Sequence, residues 1–306
     1  MDCQEIVLVH YAGVTTESSR PAALRRLMAG PGLTPLAGVY DALSAVLAER
    51  AGLPVAYMSG YCVAAGRLGL PDVGYLTLTE MVETAARIAD RISIPLLADG
   101  DDGYGNHLNV ARLVRGLERA GVAGVQIEDQ VSPKRCGHMA GKRVVPKAEM
   151  VAKIKAAADT RQDADFAILA RTDAVAVTGY ADALDRARAY LEAGADMIFI
   201  EALETPEQMA EVPRLFACPT VFNWALGGRS PTPPAAEIAA MGYRFVQNPD
   251  VVFAVTRALG DLYAEVRRAG TYAAMADRMS GFAEFNEMIG LEAVAAMDAR
   301  YRPGGG

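Results

Sequence analysis

Histidine and cysteine are scarce in this chain, three and four among 306 residues. His10, His107 and His138 lie far apart and none belongs to a His-x-x-x-His pair, so no zinc spacing is present. Cys3, Cys62, Cys136 and Cys218 form no CxxC pair and no disulfide framework, the pattern of reduced thiols in a cytoplasm. A basic excess is missing too. The net charge of −7 and pI near 5.2 argue against a nucleic-acid surface, which needs a basic face. No apolar run approaches the roughly 18 residues that span a bilayer. The opening MDCQEIVLVHYAG has a short apolar stretch but lacks the basic flank of a secretory leader. A Ser/Pro-rich linker and low-complexity tracts are also absent. A cytoplasmic globular protein is expected, loose only in its first ~20 residues and its terminal RPGGG.

What is present is a repeated unit. Hydrophobic residues make up 52% of the chain, ample for a large core. Short apolar, β-rich runs occur at 35–40, 55–59, 95–99, 124–129, 166–171, 197–202, 220–224 and 244–248. Helical patterns fill 41–51, 78–91, 108–120, 147–158, 180–193, 206–214, 234–241 and 251–268. Several end on glycines that suit left-handed helix caps: Gly52, Gly121, Gly194 and Gly242. Near-continuous apolar strands joined by helices mean a parallel sheet covered on both faces. Eight such units predict a closed (β/α)8 TIM barrel, one domain over 1–306 with a helical extension at about 270–300. A barrel does not need that extension, so an exchange or packing role between subunits is expected for it.

In such a barrel the active site lies at the C-terminal ends of the strands. There the sequence places Asp99, Asp101 and Asp102; Glu128 and Asp129; Arg171, Thr172 and Asp173; Glu201; and Asn223. Asp72 is added by the loop after strand 2. Carboxylates converging on one rim repel unless neutralised. With oxygen ligands and almost no histidine, a hard cation such as Mg²⁺ fits, and Mn²⁺ can substitute. The competing explanation is a carboxylate–arginine network that closes the barrel without metal.

KRCGH (134–138) follows strand 4 directly and rises from the rim beside Glu128. Lys134 and Arg135 would attract an anionic substrate and favour the thiolate of Cys136 when the site is empty, and Gly137 permits hinge-like backbone angles. The amides of Ser59, Gly60 and Tyr61 form a strand-end turn that can hold a carboxylate. Gly103-Tyr-Gly105 and Gly227-Gly228 complete neither a dinucleotide fingerprint nor a P-loop, and no Gly-x-Ser-x-Gly elbow occurs.

These residues resemble the isocitrate lyase and phosphoenolpyruvate mutase superfamily over about residues 22–300. The resemblance rests on LGLPDVG (68–74), ADGDDGYGN (98–106), IEDQVSPKRCGHMAGK (127–142), LARTDA (169–174), AGADMIFIEA (193–202) and FAEFNEMIGLE (282–292). KRCGH marks the lyase branch, and Ser-Gly-Tyr with CGHMAGK is closer to enzymes cleaving 2-methylmalate, 2,3-dimethylmalate and oxaloacetate than to isocitrate lyase. The resemblance implies a Mg²⁺-dependent carbon–carbon lyase that splits a small 2-hydroxy diacid, of the 2-methylmalate, 2,3-dimethylmalate or 2-methylisocitrate type, into an α-keto acid and a carboxylic acid. It implies Mg²⁺ on Asp99, its waters held by Asp72, Asp101 and Glu128, and a substrate gripped by Ser59, Gly60, Tyr61 and Arg171. It further implies Cys136 as general acid, Tyr57 as base, and His138, Glu201 and Asn223 as positioning groups. A homotetramer with exchanged C-terminal helices goes with the family. Oxaloacetate hydrolysis, carboxyphosphonoenolpyruvate rearrangement and a non-catalytic carboxylate-binding barrel are the alternatives. Two departures concern the distal side of the substrate. The usual Asn-x-x-Glu-x-Gly-x-Thr-Pro here reads NWALGGRSP (223–231), with Leu226 for glutamate, and the strand-8 segment reads QNPDVV (247–252). A leucine there predicts a less polar, or different, distal group.

Overall fold

The computed structural model describes residues 19–137, 139 and 141–302, which fall into two compact units, 19–251 and 252–302. The first is a closed barrel of eight parallel strands in sequence order. They are β1 (Thr34–Val39), β2 (Val55–Met58), β3 (Leu96–Asp99), β4 (Gly124–Glu128), β5 (Ala167–Thr172), β6 (Met197–Ile200), β7 (Thr220–Asn223) and β8 (Phe245–Asn248). β8 pairs with β1 through Thr34–Phe245 to Ala37–Asn248, and that pairing closes the ring. Helices follow the strands near the expected positions, among them Leu78–Ala89, His107–Arg119, Lys147–Thr160 and Tyr180–Glu192. The four cap glycines have φ of +78° (Gly52), +75° (Gly121), +110° (Gly194) and +105° (Gly242). These are left-handed angles that a side chain would strain.

Two apolar layers hold the barrel. Val39, Met58, Ala98, Val125, Ile127, Ile168, Ala170, Ile198 and Phe222 point outward and pack under the helices. Leu36, Val55, Tyr57, Leu97, Leu169, Met197, Phe199, Val221 and Phe245 fill the lumen. This separation fixes which residues of each strand face inward, and so which polar groups reach the mouth.

Ahead of the first expected strand, Arg20–Ala29 forms a further helix. Ser19 caps it, a proline sits in its first turn, and Leu24, Leu27 and Met28 join the lumen cluster. Arg25 ties the helix to Asp196 at 2.8 Å and to the Asp165 carbonyl at 3.0 Å, both just ahead of strands. It therefore plugs the end of the barrel opposite the active-site rim.

The second unit contains most of the helix Val251–Ala269, a short 3-10 turn, and the helices Phe282–Met288 and Leu291–Tyr301. The last two have no buried residue, and Phe282 (86%) and Tyr301 (68%) are largely exposed. The first 18 residues and the tail from Pro303, both expected to be loose, lie outside the described residues.

Candidate active site

Alternate residues of a barrel strand face the lumen. The inward series climb from Leu97 to Asp99, Gln126 to Glu128, Leu169 to Arg171, Phe199 to Glu201, Val221 to Asn223 and Phe245 to Gln247. On β2 the same phase runs from Tyr57 to Ser59. Apolar side chains thus give way to a polar ring at the rim. Among the described residues the non-glycine positive φ angles, Asp101 (47°), Tyr104 (58°) and Ala202 (62°), all follow β3 or β6 at this rim. Strain of this kind collects at functional sites.

Asp72, Asp99, Asp101 and Glu128 are all buried. Asp99 accepts hydrogen bonds from the Gly60 amide and the Asp101 amide, each at 3.1 Å, and from Gln126 Nε2 at 3.4 Å. Burial, with Asp101 beside it, pushes the Asp99 carboxyl up to about 6. Burial also drives Glu128 well above the usual carboxylate range, only partly opposed by Arg171, and raises Asp72 against the pull of Lys134. Burial leads in all three, so these carboxyls are shielded from the solvent that would favour their charged form. Gly60 is needed for close approach, because an added Cβ would lie 2.9 Å from Asp101 Oδ1 and 3.0 Å from Asp99 Oδ2.

The loop carrying KRCGH is closed over this cluster. Lys134, buried, places its ammonium 2.7 Å from Asp72 Oδ1 and 2.6 Å from Asp101 Oδ1. It acts first as an internal counter-ion. The Cys136 amide donates to the Asp72 carbonyl at 3.1 Å. Gly137 rests on Arg171 and Glu201 so closely that a Cβ would fall 2.2 Å from Arg171 Nη2. Its backbone is not left-handed, so the glycine supplies room rather than a hinge angle. Lys142, at the far end of the loop, donates to the Gly137 carbonyl and to Asp173 Oδ1 at 2.7 Å. Gln130 clamps the base of the loop by donating to the Arg135 carbonyl at 2.8 Å and accepting from its amide at 3.0 Å. Arg135, expected to face the substrate, is exposed and its guanidinium runs beside Gly141 on the outside of the loop. His138 lies outside the described residues.

Arg171 links the two halves of the mouth. Its Nε is 3.0 Å from Asp173 Oδ2 and 3.2 Å from Glu128 Oε2, and its Nη2 is 3.2 Å from Glu201 Oε2. Asn223 Nδ2 donates to the same Glu201 oxygen at 3.2 Å. Burial opposes ionisation of Asp173, but Arg171 and Lys142 outweigh it and hold the carboxyl well below the usual range. Asp129 does not belong to the site. It points outward and accepts from Thr172 Oγ1 at 2.7 Å, Tyr190 Oη at 2.8 Å and the Asp173 amide at 2.9 Å. It fixes the β4–β5 rim from behind.

At the β2 end, the Ser59 amide donates to the Val39 carbonyl at 3.1 Å and the Gly60 amide serves Asp99, so two of the three amides expected to grip a carboxylate are engaged. Half-buried Tyr61 lies near Cys136, and burial plus that thiol push its phenol up. Tyr57 is buried in the lumen, and burial with Asp99 drives its pKa well above the ordinary tyrosine value. It is a neutral donor at neutral pH. Leu226 is 72% exposed, its amide bonded to Asp250, so it adds no apolar wall to the lumen.

The donor set is made of hard oxygens, and Glu128 Oε1 has no hydrogen-bond partner among the described residues. Among those residues no three His, Cys, Asp or Glu groups converge into a closed cage. An unpartnered, hard carboxylate oxygen is the kind of ligand a hard divalent cation takes.

The profile of the phosphoenolpyruvate phosphomutase family matches residues 24–267, the whole barrel included. The chain belongs to that family. It is 44% identical over 284 residues to the 2,3-dimethylmalate lyase of Eubacterium barkeri, covering 92% of this chain and 98% of the relative. It is 42% identical over 256 residues to the 2-methylisocitrate lyase of Escherichia coli (strain K12), covering 83% and 86%. Oxaloacetate acetylhydrolase in complex with 3,3-difluorooxalacetate superposes with a TM-score of 0.85 at 36% identity, over 92% of this chain and 96% of that one. Phosphonopyruvate hydrolase in complex with oxalate and Mg²⁺ superposes with a TM-score of 0.84 at 31% identity, over 93% and 99%. These relatives place the chain in the isocitrate lyase and phosphoenolpyruvate mutase superfamily that its motifs resemble.

Proposed function

We infer that the chain is a Mg²⁺-dependent carbon–carbon lyase that splits a small 2-hydroxy diacid into an α-keto acid such as pyruvate and a second carboxylic acid. The observation that carries this reading is the closed loop. It lays the backbone of Cys136 on Asp72 and that of Gly137 on Arg171 and Glu201, which supports a thiol poised beside the carboxylate cluster.

Asp99 would hold a Mg²⁺, with Asp72, Asp101 and Glu128 holding its waters, and that ion would supply a Lewis acid for negative charge on the substrate oxygens. Arg171 binds a substrate carboxylate, with Ser59, Gly60 and Tyr61 shaping the opposite side of its pocket. Cleavage requires loss of the 2-hydroxyl proton. The C2–C3 electron pair then passes to the second product as its enolate, while C2 becomes the keto carbon. Tyr57 is the proposed base; its buried phenol yields a proton only when positive charge is brought beside it. Cys136 gives its thiol proton to the enolate carbon, and the closed loop keeps water from competing. His138, Glu201 and Asn223 position the thiol or the leaving carboxylate. Lys134 balances the carboxylates from inside the loop, and Arg135 draws anions from outside. The same reading places the enzyme in the cytoplasm as a homotetramer with exchanged C-terminal helices, which the exposed Phe282, Leu291, Val294 and Tyr301 support.

The test is pyruvate release with Mg²⁺ from 2-methylmalate, 2,3-dimethylmalate and 2-methylisocitrate, with oxalate release from oxaloacetate scored alongside. The Cys136→Ser variant should lose roughly a hundredfold or more of turnover, in keeping with removal of a general acid, while still binding the substrate. Undiminished turnover in that variant would sink the general-acid role. Oxalate release alone would move the chain to the hydrolases.

A further inference from the structure

The wall formed by β7 and β8 holds a polar side chain with an atom to spare. Gln247 is 2% exposed and faces the lumen one step above Phe245, where an apolar residue would complete the packing. Its Oε1 has no hydrogen-bond partner among the described residues. The donor beside it is already engaged. Asn223, paired with Gln247 in the β7–β8 register, gives its Nδ2 to Glu201. Glu201 uses one oxygen for that bond and for Arg171, and the other for the Ala202 amide at 2.8 Å.

Gln126 Oε1 and Glu128 Oε1 also lack partners, but both stand on β4 within the carboxylate cluster, where waters of a bound cation would meet them. In a ring of eight strands β8 is diametrically opposite β4, so Gln247 cannot be serving that cluster. A substrate held at one end beside the cluster and Arg171 would turn its other end toward the opposite strands, where this wall stands. A buried acceptor left unmade carries a desolvation penalty, and a core position tolerates it where a ligand completes the bond.

Resting on the lyase reading, we propose that Gln247 is a specificity residue that hydrogen-bonds a polar distal arm of the substrate. The chain then favours 2-hydroxy diacids bearing a carboxylate or hydroxyl beyond C3 over those bearing only methyl groups. The amide suits either group, because rotation about its terminal bond presents Nε2 to a carboxylate or Oε1 to a hydroxyl. The wall is thus polar at Gln247, and Leu226, which is exposed, does not line it.

The experiment compares kcat/KM for 2-methylisocitrate, which has a carboxymethyl arm, with that for 2,3-dimethylmalate, which has a methyl. Wild-type enzyme should favour the former. Gln247→Met keeps the volume and should cut the ratio about tenfold, the size of one hydrogen bond to a charged group. The loss should fall mainly on KM for 2-methylisocitrate, with the thermal midpoint unchanged or raised because the unpaired amide is gone. Gln247→Glu, which sets a negative charge against the arm, should lower the ratio further and serves if the methionine variant does not fold. Wild-type preference for 2,3-dimethylmalate, or a ratio unchanged in both variants, would overturn the assignment while leaving the lyase reading intact. No turnover of either substrate, nor of 2-methylmalate, would overturn both.

Discussion

Replacing Lys142 with methionine should slow turnover without emptying the cation site. The Lys142 side chain is 2% exposed, and its ammonium holds both Asp173 and the Gly137 carbonyl. Methionine retains the packing of the stem and removes only the charge and its two bonds. Asp173 would not be orphaned, since Arg171 still reaches it through Nε at 3.0 Å and Nη2 at 3.2 Å. The loss therefore falls on the loop. A hydrogen bond to a charged group contributes about 1.5–3 kcal/mol, so the closed loop should be destabilised by ~2 kcal/mol relative to the open one. At 1.4 kcal/mol per decade that is roughly a thirtyfold fall in the closed-to-open ratio, which sets the limit on the fall in kcat and the rise in nicking. Lys134, the Cys136 amide and the Gln130 clamp remain as separate ties and keep the fall from being complete. The assay is single-turnover pyruvate formation at saturating substrate, with proteolytic nicking of residues 130–142 measured in parallel. Lys142→Arg, which keeps charge and donors, should restore most of the rate. A kcat within twofold of wild type together with unchanged nicking would refute the latch.

Gly60→Ala should weaken Mg²⁺ binding about 10–100-fold with the fold preserved. The new methyl would lie 2.9 Å from Asp101 Oδ1 and 3.0 Å from Asp99 Oδ2, so both carboxylates must shift; calorimetric titration that returns the wild-type affinity would refute this. The pH response follows from Asp99, whose pKa is raised from 3.8 to about 6 in the folded chain. A carboxyl raised on folding stabilises while protonated, so its contribution is full below the unfolded value and is lost as pH rises through about 6. The rise corresponds to ~3 kcal/mol of strain in the metal-free protein at neutral pH. Mg²⁺ must displace that proton, so the increase in melting temperature caused by Mg²⁺ should be small at pH 5 and large above pH 7. An equal increase at both would refute the assignment of Asp99 as the main ligand.

The element pattern was legible because the chain punctuates it. Apolar runs set the eight strands, and the AG and MG pairs marked helix ends whose glycines adopt left-handed angles. Arg20–Ala29 was missed although Ser19, Pro21 and the Leu24, Leu27, Met28 spacing signal a capped amphipathic helix. Strand-end charges were legible as a set and not one by one. In a strand buried on both faces, such as Gly124–Glu128, apolar residues occupy both phases, so alternation does not say which neighbour faces the lumen. Glu128 and Asp129 read alike in sequence, yet one joins the site and the other braces it from outside. Lys134 shows the same limit at longer range. Its cationic neighbours in the motif suggest substrate attraction, whereas its partner Asp72 is 62 residues away and turns it inward. Lys142 and Gln247 were passed over for a related reason: nothing local distinguishes a latch lysine from a surface one, or a lumen glutamine from a loop one. What sets them apart is the phase of the barrel wall and the closure of the loop. Both are products of the whole ring, which is why the chemistry of the mouth can be read from motifs while its selectivity and gating require the fold.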